Sequence, residues 1–183
     1  MMWAIWMCWI YVMANGRKTK KPISAYGIPT GTDDAHAHTW VSYEEAKAAA
    51  EKNGYDGVGF IIPEGYFFLD LDHVLLEDPF VQLMLERFHS YAEKSVSGEG
   101  LHIYGRCDRG QIPTYMDSKG KDRLAKEFYT KNPNNGMELY IGGVTNRFAV
   151  YTGNTVMDEP LCDCTQAVLT TLDKNMRRKP KSS

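Results

Sequence analysis

The sequence predicts an α+β or α/β fold, in which helices flank a mixed β-sheet. Two observations predict it. Apolar, β-prone runs recur along the chain, and segments of helical periodicity lie between them. In addition, some strand candidates are separated only by turn residues, which favours hairpins among the strands. With 183 residues, the chain is expected to form one domain over 1–172, followed by a basic, disordered tail over 173–183.

The first predicted element is a buried strand in the apolar stretch 1–13, which contains three tryptophans. This stretch is too short to span a bilayer and lacks both a basic start and a small-residue cleavage site. No membrane partner is therefore expected. A basic turn over 15–22 follows and is expected to end at Pro22, because proline interrupts regular strand pairing. It is either a solvated loop or a loop that contacts phosphates.

The next elements are indicated by caps and turns. Ser42 and Glu45 form a capping box that predicts a helix over 43–52. Two β-type runs, 57–62 and 66–72, flank the turn residues 63–65, and this arrangement predicts a hairpin. A proline at position 79 and apolar residues at helical spacing predict a second helix over 79–92.

The remaining chain returns to strands and ends in a helix. Strands are predicted over 101–105, 137–141 and 147–151, and a last helix over 160–174. The polar segment 111–136 between the first two of these strands contains few apolar residues and is predicted to be mobile.

Charge and cysteine content limit the classes of function. The net charge of −2 excludes a wholly basic, histone-like binder, so nucleic acid would have to bind at local basic clusters. The four cysteines include no Cys-x-x-Cys pair, and no histidine stands at zinc-ligand spacing from Cys162 and Cys164. Free thiols in a reducing compartment are therefore expected.

The strand around Asp70 and Asp72 is the most informative stretch. Side chains alternate along a strand, so these two carboxylates are expected on one face, a few ångströms apart. A divalent cation such as Mg²⁺ or Mn²⁺ would relieve their repulsion. The alternative is that both are ordinary solvated charges at an exposed strand end.

A Ser/Gly-rich loop enters the next strand, which carries His102. Gly98 and Gly100 allow backbone N–H groups to approach an anion, and Ser95 and Ser97 add hydroxyl donors. His102 would then point at the bound phosphate, although a histidine in a strand is more often a core residue with internal partners.

A third acid, Glu138, lies in an apolar strand, and Arg147 follows it. Glu138 by itself is unremarkable. Three strand carboxylates, with a phosphate loop and an arginine between or after them, are the components of a metal-assisted phosphoryl transfer site.

The order of these motifs resembles the phage and plasmid branch of the archaeo-eukaryotic primase-polymerases. The motifs are Asp-x-Asp, then Ser-Gly-x-Gly-x-His, then a strand acid followed by Arg-Phe and Thr-Gly. The similar region runs from about Arg17 to Asn154. This sequence departs from the family by a longer turn over 142–146 and by having no ATP-binding Gly-x-x-x-x-Gly-Lys-Ser/Thr loop.

The resemblance implies a primase-polymerase core with an RRM-like fold and a two-metal site for Mg²⁺ or Mn²⁺. It implies that Asp70, Asp72 and Glu138 are catalytic metal ligands. The nucleotide-binding residues implied are Ser95, Ser97, Gly98, Gly100, His102 and Arg147. The cytoplasm of a bacterium or of a phage-infected cell is the expected location.

The partners implied are a single-stranded DNA template with its primer, nucleoside triphosphates, and a replicative helicase domain or protein. The residues expected to contact DNA are Arg17, Lys18, Lys20, Lys21, Lys119, Lys121 and Arg123. Two alternatives remain: a two-metal nuclease that uses the same carboxylates, and a non-catalytic template-binding module of a replication protein. A replication nuclease built on His36 and His38 is disfavoured, because these histidines are predicted to lie in a polar loop.

Overall fold

The computed structural model describes residues 3–145 and 147–182, and it confirms the α+β class. Met1, Met2, Asn146 and Ser183, which belong to the predicted first strand, the longer turn and the tail, lie outside the described residues. The strands are β1 (Trp6–Ala14), β2 (Arg17–Ile23), β3 (Gly57–Ile61), β4 (Tyr66–Asp72), β5 (Ala92–Lys94), β6 (Gly100–Arg106), β7 (Thr114–Met116), β8 (Asp122–Leu124), β9 (Met137–Ile141), β10 (Phe148–Tyr151) and β11 (Thr155–Met157). The α-helices are α1 (Tyr43–Asn53), α2 (Pro79–Phe88) and α3 (Thr165–Asn175), and short 3₁₀ helices cover Asp34–Thr39 and Arg109–Gln111.

The chain divides into two compact units. The first comprises the described residues up to 62 together with 147–152, and the second comprises 63–145 together with 153–182. Every pairing among the described strands is antiparallel, where a mixed sheet was expected.

The first unit is a four-stranded sheet in the order β10-β3-β1-β2, with α1 on one face. The predicted first strand is confirmed as β1. Ser42 caps α1 as the sequence indicated, because its hydroxyl accepts from the backbone N–H of Glu45 at 3.2 Å. Cys8, Val58 and Ala46 form the centre of the apolar layer between the sheet and this helix.

The predicted basic turn over 15–22 is wrong in its extent. Only Asn15 and Gly16 form the turn, both with positive φ, and residues 17–23 pair with β1 as strand β2. Two residues of positive φ make the tight hairpin turn whose twist suits antiparallel strands. Pro22 fits within β2, opposite Trp9, because β2 is an edge strand and one side of it needs no backbone donor.

The predicted hairpin over 57–72 is also wrong, since β3 and β4 belong to different sheets. β3 pairs with β1 and β10, and β4 pairs with β6 and β9. Each strand therefore has both of its edges occupied by partners that are distant in sequence. The turn residues 63–65 connect the two units instead of closing a hairpin.

The second unit contains a five-stranded sheet in the order β11-β5-β6-β4-β9. One face of it is apolar and packs against α2 and α3, with Leu69, Ile103 and Leu139 fully buried. The other face carries polar and aromatic side chains. Because side chains alternate along each strand, the helices cover one set and leave the other set for the site.

Three further boundaries differ from the predictions. Helix α2 ends at Phe88, with His89 in a left-handed conformation, so the stretch predicted to continue to residue 92 turns into β5. Helix α3 begins at Thr165 instead of residue 160. It reaches Asn175, so the predicted tail boundary at residue 173 falls inside this helix, and Arg177 and Arg178 then pack against the Phe128 and Tyr129 rings.

The insertion over 111–136 is structured where it is described. It contains the β7–β8 hairpin and buries Ile112, Leu124 and Phe128 in the core of the second unit. In the described part of the chain, no helix has the length and hydropathy needed to cross a membrane. All four cysteines carry free thiols.

Candidate active site

One line of polar side chains crosses the second sheet from strand to strand. Glu93 on β5 lies opposite His102 on β6, His102 lies opposite Asp70 on β4, and Asp70 lies opposite Glu138 on β9. Residues in direct register project from the same face of a sheet. We call these four residues the acid–histidine row. It brings together three residues that the sequence predicted on separate strands.

Asp72 extends this face along β4. It lies two residues beyond Asp70, opposite Gly100, and its side chain is exposed, whereas the Asp70 side chain is only 13% exposed. The predicted placement of both carboxylates on one strand face is therefore confirmed. The alternative, in which both are solvated charges, fails for Asp70 because of its burial.

His102 is held between two carboxylates. Its Nδ1 lies 3.2 Å from Oε2 of Glu93, and its Nε2 lies 3.7 Å from Oδ1 of Asp70. The His102 side chain is 6% exposed and that of Glu93 is fully buried. Water cannot screen charges in such a place as it does at the surface, so these contacts fix the ring strongly.

Glu138 has partners on its own strand and beyond it. The Tyr140 hydroxyl donates to its Oε2 at 2.7 Å, and Nζ of Lys131 lies 3.8 Å from its Oε1. Tyr140 belongs to an aromatic layer beside the row, in which the Phe68 ring is stacked 4.9 Å from Tyr104 and 6.0 Å from Tyr140. These rings limit the access of water to one side of the row.

The donor set fits a hard divalent cation. Asp70 and Asp72 share a face, and Glu138 is the direct neighbour of Asp70, so all three offer carboxylate oxygens from one region of the sheet. Across 3–145 and 147–182, no three His, Cys, Asp or Glu side chains form a ready-made metal-binding group. Mg²⁺ is often held by one or two carboxylates together with substrate phosphates, so a complete protein cage is not required.

The Ser/Gly loop joins β5 to β6 at the end of the sheet where Asp72 lies. Its backbone closes on itself: the N–H of Ser95 donates to the Gly100 carbonyl, and the N–H of Gly98 donates to the Ser95 carbonyl, both at 3.0 Å. A side chain at position 100 would lie 2.8 Å from the Leu71 carbonyl oxygen, so only glycine allows this approach of the two strands.

The groups that the loop offers to an anion are therefore its serine hydroxyls more than its backbone N–H groups. The hydroxyls of Ser95 and Ser97 lie 3.3 Å apart, and the N–H of Glu99 is used by the Ser97 hydroxyl. The predicted backbone cradle is thus partly occupied by bonds inside the loop. Phosphate binding by this loop stays a prediction, now centred on the two serines.

Arg147 and the disfavoured histidine pair belong to the first unit. Arg147 belongs to the first unit, directly before β10, whereas the row is in the second unit. Its phosphate contact stays a prediction. The disfavoured pair His36 and His38 lies on a 3₁₀ helix, where His36 is hydrogen-bonded to Asp33, and not on a strand.

The predicted DNA contacts occupy two hairpins. Arg17, Lys18, Lys20 and Lys21 are exposed on the edge strand β2. Nζ of Lys18 lies 4.0 Å from the centre of the Tyr11 ring, so a cation and an aromatic ring share one face there. This combination suits single-stranded nucleic acid.

Lys119, Lys121 and Arg123 are exposed on the β7–β8 hairpin. Arg123 is partly neutralised, because its Nε donates to Asp117 at 2.8 Å. The backbone N–H of Lys121 and the Arg123 guanidinium hold the pKa of the Asp117 carboxyl below its usual range. Asp117 thus organises this hairpin and reduces its net positive charge.

Sequence reasoning missed Glu93, which is fully buried in the row. Helical periodicity extended the predicted second helix to residue 92 and hid the short strand β5. The usable signal was the pattern Ala92-Glu93-Lys94 directly before the Ser/Gly loop, which could have predicted a strand hairpin.

No family model matches the chain. The DNA primase-polymerase of Nitratiruptor phage NrS-1 is 34% identical to it over an alignment of 137 residues, and the match covers 69% of this chain. The match covers 18% of the phage protein, so the chain corresponds to a small part of that relative. This similarity confirms the resemblance to the phage primase-polymerases that the motifs indicated.

Proposed function

We propose that the chain, a relative of this phage primase-polymerase, is a catalytic domain that joins nucleotides on a DNA template. The observation that carries the proposal is the acid–histidine row with Asp72 beside it. The row and Asp72 together place four carboxylates and one imidazole on one sheet face, next to a serine-rich loop. Nucleotidyl transfer needs this combination of negative oxygen ligands and phosphate donors.

Asp70 and Asp72, with Glu138 as the third acid, would hold Mg²⁺ or Mn²⁺. When bound, such a cation supplies activation of a hydroxyl and neutralisation of charge on the phosphates. The roles left to the protein are positioning and charge. Asp70 and Asp72 define where the α-phosphate lies, and Tyr140 and Lys131 hold Glu138 in place.

His102 and the loop serines would bind the triphosphate. His102 would donate from Nε2, the nitrogen that faces Asp70. The primer 3′-hydroxyl oxygen then bonds to the α-phosphorus and gives up its proton to water. The bond from that phosphorus to the bridging oxygen breaks, and pyrophosphate leaves. No side-chain nucleophile is required.

The template would bind at basic hairpins, and the β1–β2 hairpin is the stronger candidate. Its lysines lie beside Tyr11 and Trp9, whereas Arg123 on the other hairpin is paired with Asp117. Phosphate attraction and base stacking on aromatic rings together bind single strands without sequence preference. A helicase domain or protein as a further partner belongs to the same proposal.

Primer extension tests the proposal. We expect the purified chain to lengthen a labelled primer on a single-stranded template with Mg²⁺ or Mn²⁺, each nucleotide type being supplied in turn, and to release pyrophosphate. Degradation of the same labelled DNA without extension would favour the nuclease. Template binding with neither reaction would favour the non-catalytic module.

A further inference from the structure

The buried carboxylate of Glu93 has no role in the proposed transfer, although it belongs to the row. It is fully buried on β5, and burying a carboxylate is costly unless hydrogen bonds satisfy it. The Tyr91 hydroxyl donates to its Oε1 at 3.1 Å, and the backbone N–H of Gly153 donates to the same oxygen at 3.4 Å. The carboxylate is therefore fixed from one side.

The other oxygen of Glu93 faces His102. Its Oε2 lies 3.2 Å from Nδ1 of the imidazole, and the Tyr104 hydroxyl lies 3.5 Å from the same nitrogen. An ionised carboxylate can only accept, so Nδ1 would be the donor toward Glu93. The ring is then oriented with Nε2 toward Asp70, 3.7 Å away. The Phe68 ring meets the imidazole edge-on at 5.0 Å and limits its rotation from a third direction.

We propose that Glu93 is a positioning residue that orients the His102 imidazole, so that Nε2 faces the nucleotide phosphates. Glu93 itself does not touch the substrate. This inference rests on the proposed function for the identity of the ligand, but the orientation of the ring is a property of the protein alone. Partners of this kind, behind a functional histidine, fix the direction of its ring.

Nitrogen-15 NMR of the histidine rings tests the orientation without any activity. We expect a proton on Nδ1 of His102 in the wild-type protein, protected from exchange, and a loss of this protection in Glu93→Ala. The His102→Ala variant identifies the signal among the five histidines. A wild-type ring with no proton on Nδ1 would overturn the inference, whatever the protein catalyses.

Kinetics test the consequence. Glu93→Ala should raise the nucleotide KM roughly ten- to a hundredfold, as expected when a hydrogen bond to a charged group is lost. It should change kcat less, because the carboxylates that hold the metal remain. Glu93→Gln keeps an acceptor toward Nδ1 and should restore most of the nucleotide affinity.

A double variant separates positioning from a general structural role. If Glu93 acts only through the imidazole, adding Glu93→Ala to His102→Ala should change the nucleotide KM by less than about twofold. Independent, multiplying effects in the double variant would refute the inference. Thr171→Val, which changes another fully buried polar residue of the same unit, is the control and should leave the nucleotide KM unchanged.

A failure of the proposed function and a failure of the inference about Glu93 give different results. A wild-type protein that incorporates no nucleotide refutes the proposed function, and the NMR result still decides the orientation of the ring. An active protein whose KM is insensitive to Glu93→Ala keeps the proposed function and refutes the inference.

Discussion

At the scale of single residues, the site is defined by charges placed where the sheet would otherwise avoid them. Asp70 lies directly opposite Glu138, and like charges in direct register destabilise a strand pair. Lys131 and Tyr140 contact Glu138, and His102 contacts Asp70. A bound cation between the carboxylates would turn the repulsion into attraction, which is the physical reason for reading the row as a metal site.

The pair Asp70→Asn with Asp72→Asn tests this reading. The change keeps side-chain size and removes two negative charges from one strand face, so polymerisation should be abolished. Folding should persist, and the melting temperature should be unchanged or slightly higher without metal, because repulsion disappears. A primer-extension gel and a circular-dichroism melt on one preparation measure both.

The matched control for this variant is Glu86→Gln with Asp158→Asn, which removes the same charge from exposed positions. It should extend primers like the wild-type protein. A double aspartate variant that is unfolded, or that still extends primers, would show that the pair is structural.

His102→Ala is expected to weaken nucleotide use more than the chemical step. It removes a phosphate donor and leaves the three carboxylates in place, so the nucleotide KM should rise about tenfold or more. Steady-state extension at varied nucleotide concentration measures this. Unchanged nucleotide dependence would contradict its role, and His89→Ala, at an exposed helix end, is the control.

At the scale of elements, β2 is the surface that we propose for the template. Four basic residues lie within the five positions 17–21 of an exposed edge strand. Lysine side chains also keep such an edge from pairing with other chains, so the same residues protect against aggregation. Binding of DNA along this edge would use the positive charge that also keeps the edge from pairing with other chains.

Replacing Lys18 and Lys20 with alanine should weaken binding of single-stranded DNA. Each phosphate contact that is lost should also reduce the slope of log affinity against log salt by about 0.7. Fluorescence anisotropy at several salt concentrations measures both quantities. Lys47→Ala with Lys52→Ala, on the exposed side of α1 in the same unit, is the control and should bind like the wild-type protein.

Sequence reasoning succeeded where the signal is local. The capping box predicted α1, and alternation along β4 predicted the common face of Asp70 and Asp72. It failed where pairing is not local. The hairpin over 57–72 looked sound because its turn residues are suitable, but β3 and β4 find their partners far away in sequence. Glu93 escaped for a different reason: helical periodicity extended the predicted second helix over β5, although the β5–β6 pairing that brings Glu93 to His102 is local.

At the scale of the whole molecule, the two units share one chain in an interleaved order. Strand β10 completes the first unit, although the segment 63–145 of the second unit precedes it. The ends of that segment are held together inside the second unit, where the backbone N–H of Gly142 donates to the Tyr66 carbonyl at 2.9 Å. A folded second unit therefore presents β10 to the first unit with its connection already closed.

This connectivity predicts that the first unit does not stay folded after the second unit has unfolded. If the second unit unfolds, β10 is tied to β3 by a flexible loop over 63–146, and closing such a loop costs about 4 kcal/mol by chain entropy. The first unit should then lose β10 and much of its stability. Unfolding of the two units should accordingly coincide, or the first unit should open earlier.

The thiols report this order. Burial raises the pKa of the Cys8, Cys107 and Cys164 thiols to about 11, so each should resist alkylation until its own unit opens. Cys8 reports the first unit, and the other two report the second.

In urea, with labelling read by mass spectrometry, Cys8 should react at the same or lower denaturant concentration than Cys107 and Cys164. Partly exposed Cys162 should react without urea and serves as the internal reference. A Cys8 that stays protected after Cys107 and Cys164 react would mean that β3 and β10 hold together without the second unit, and that loop closure does not govern the stability of the first.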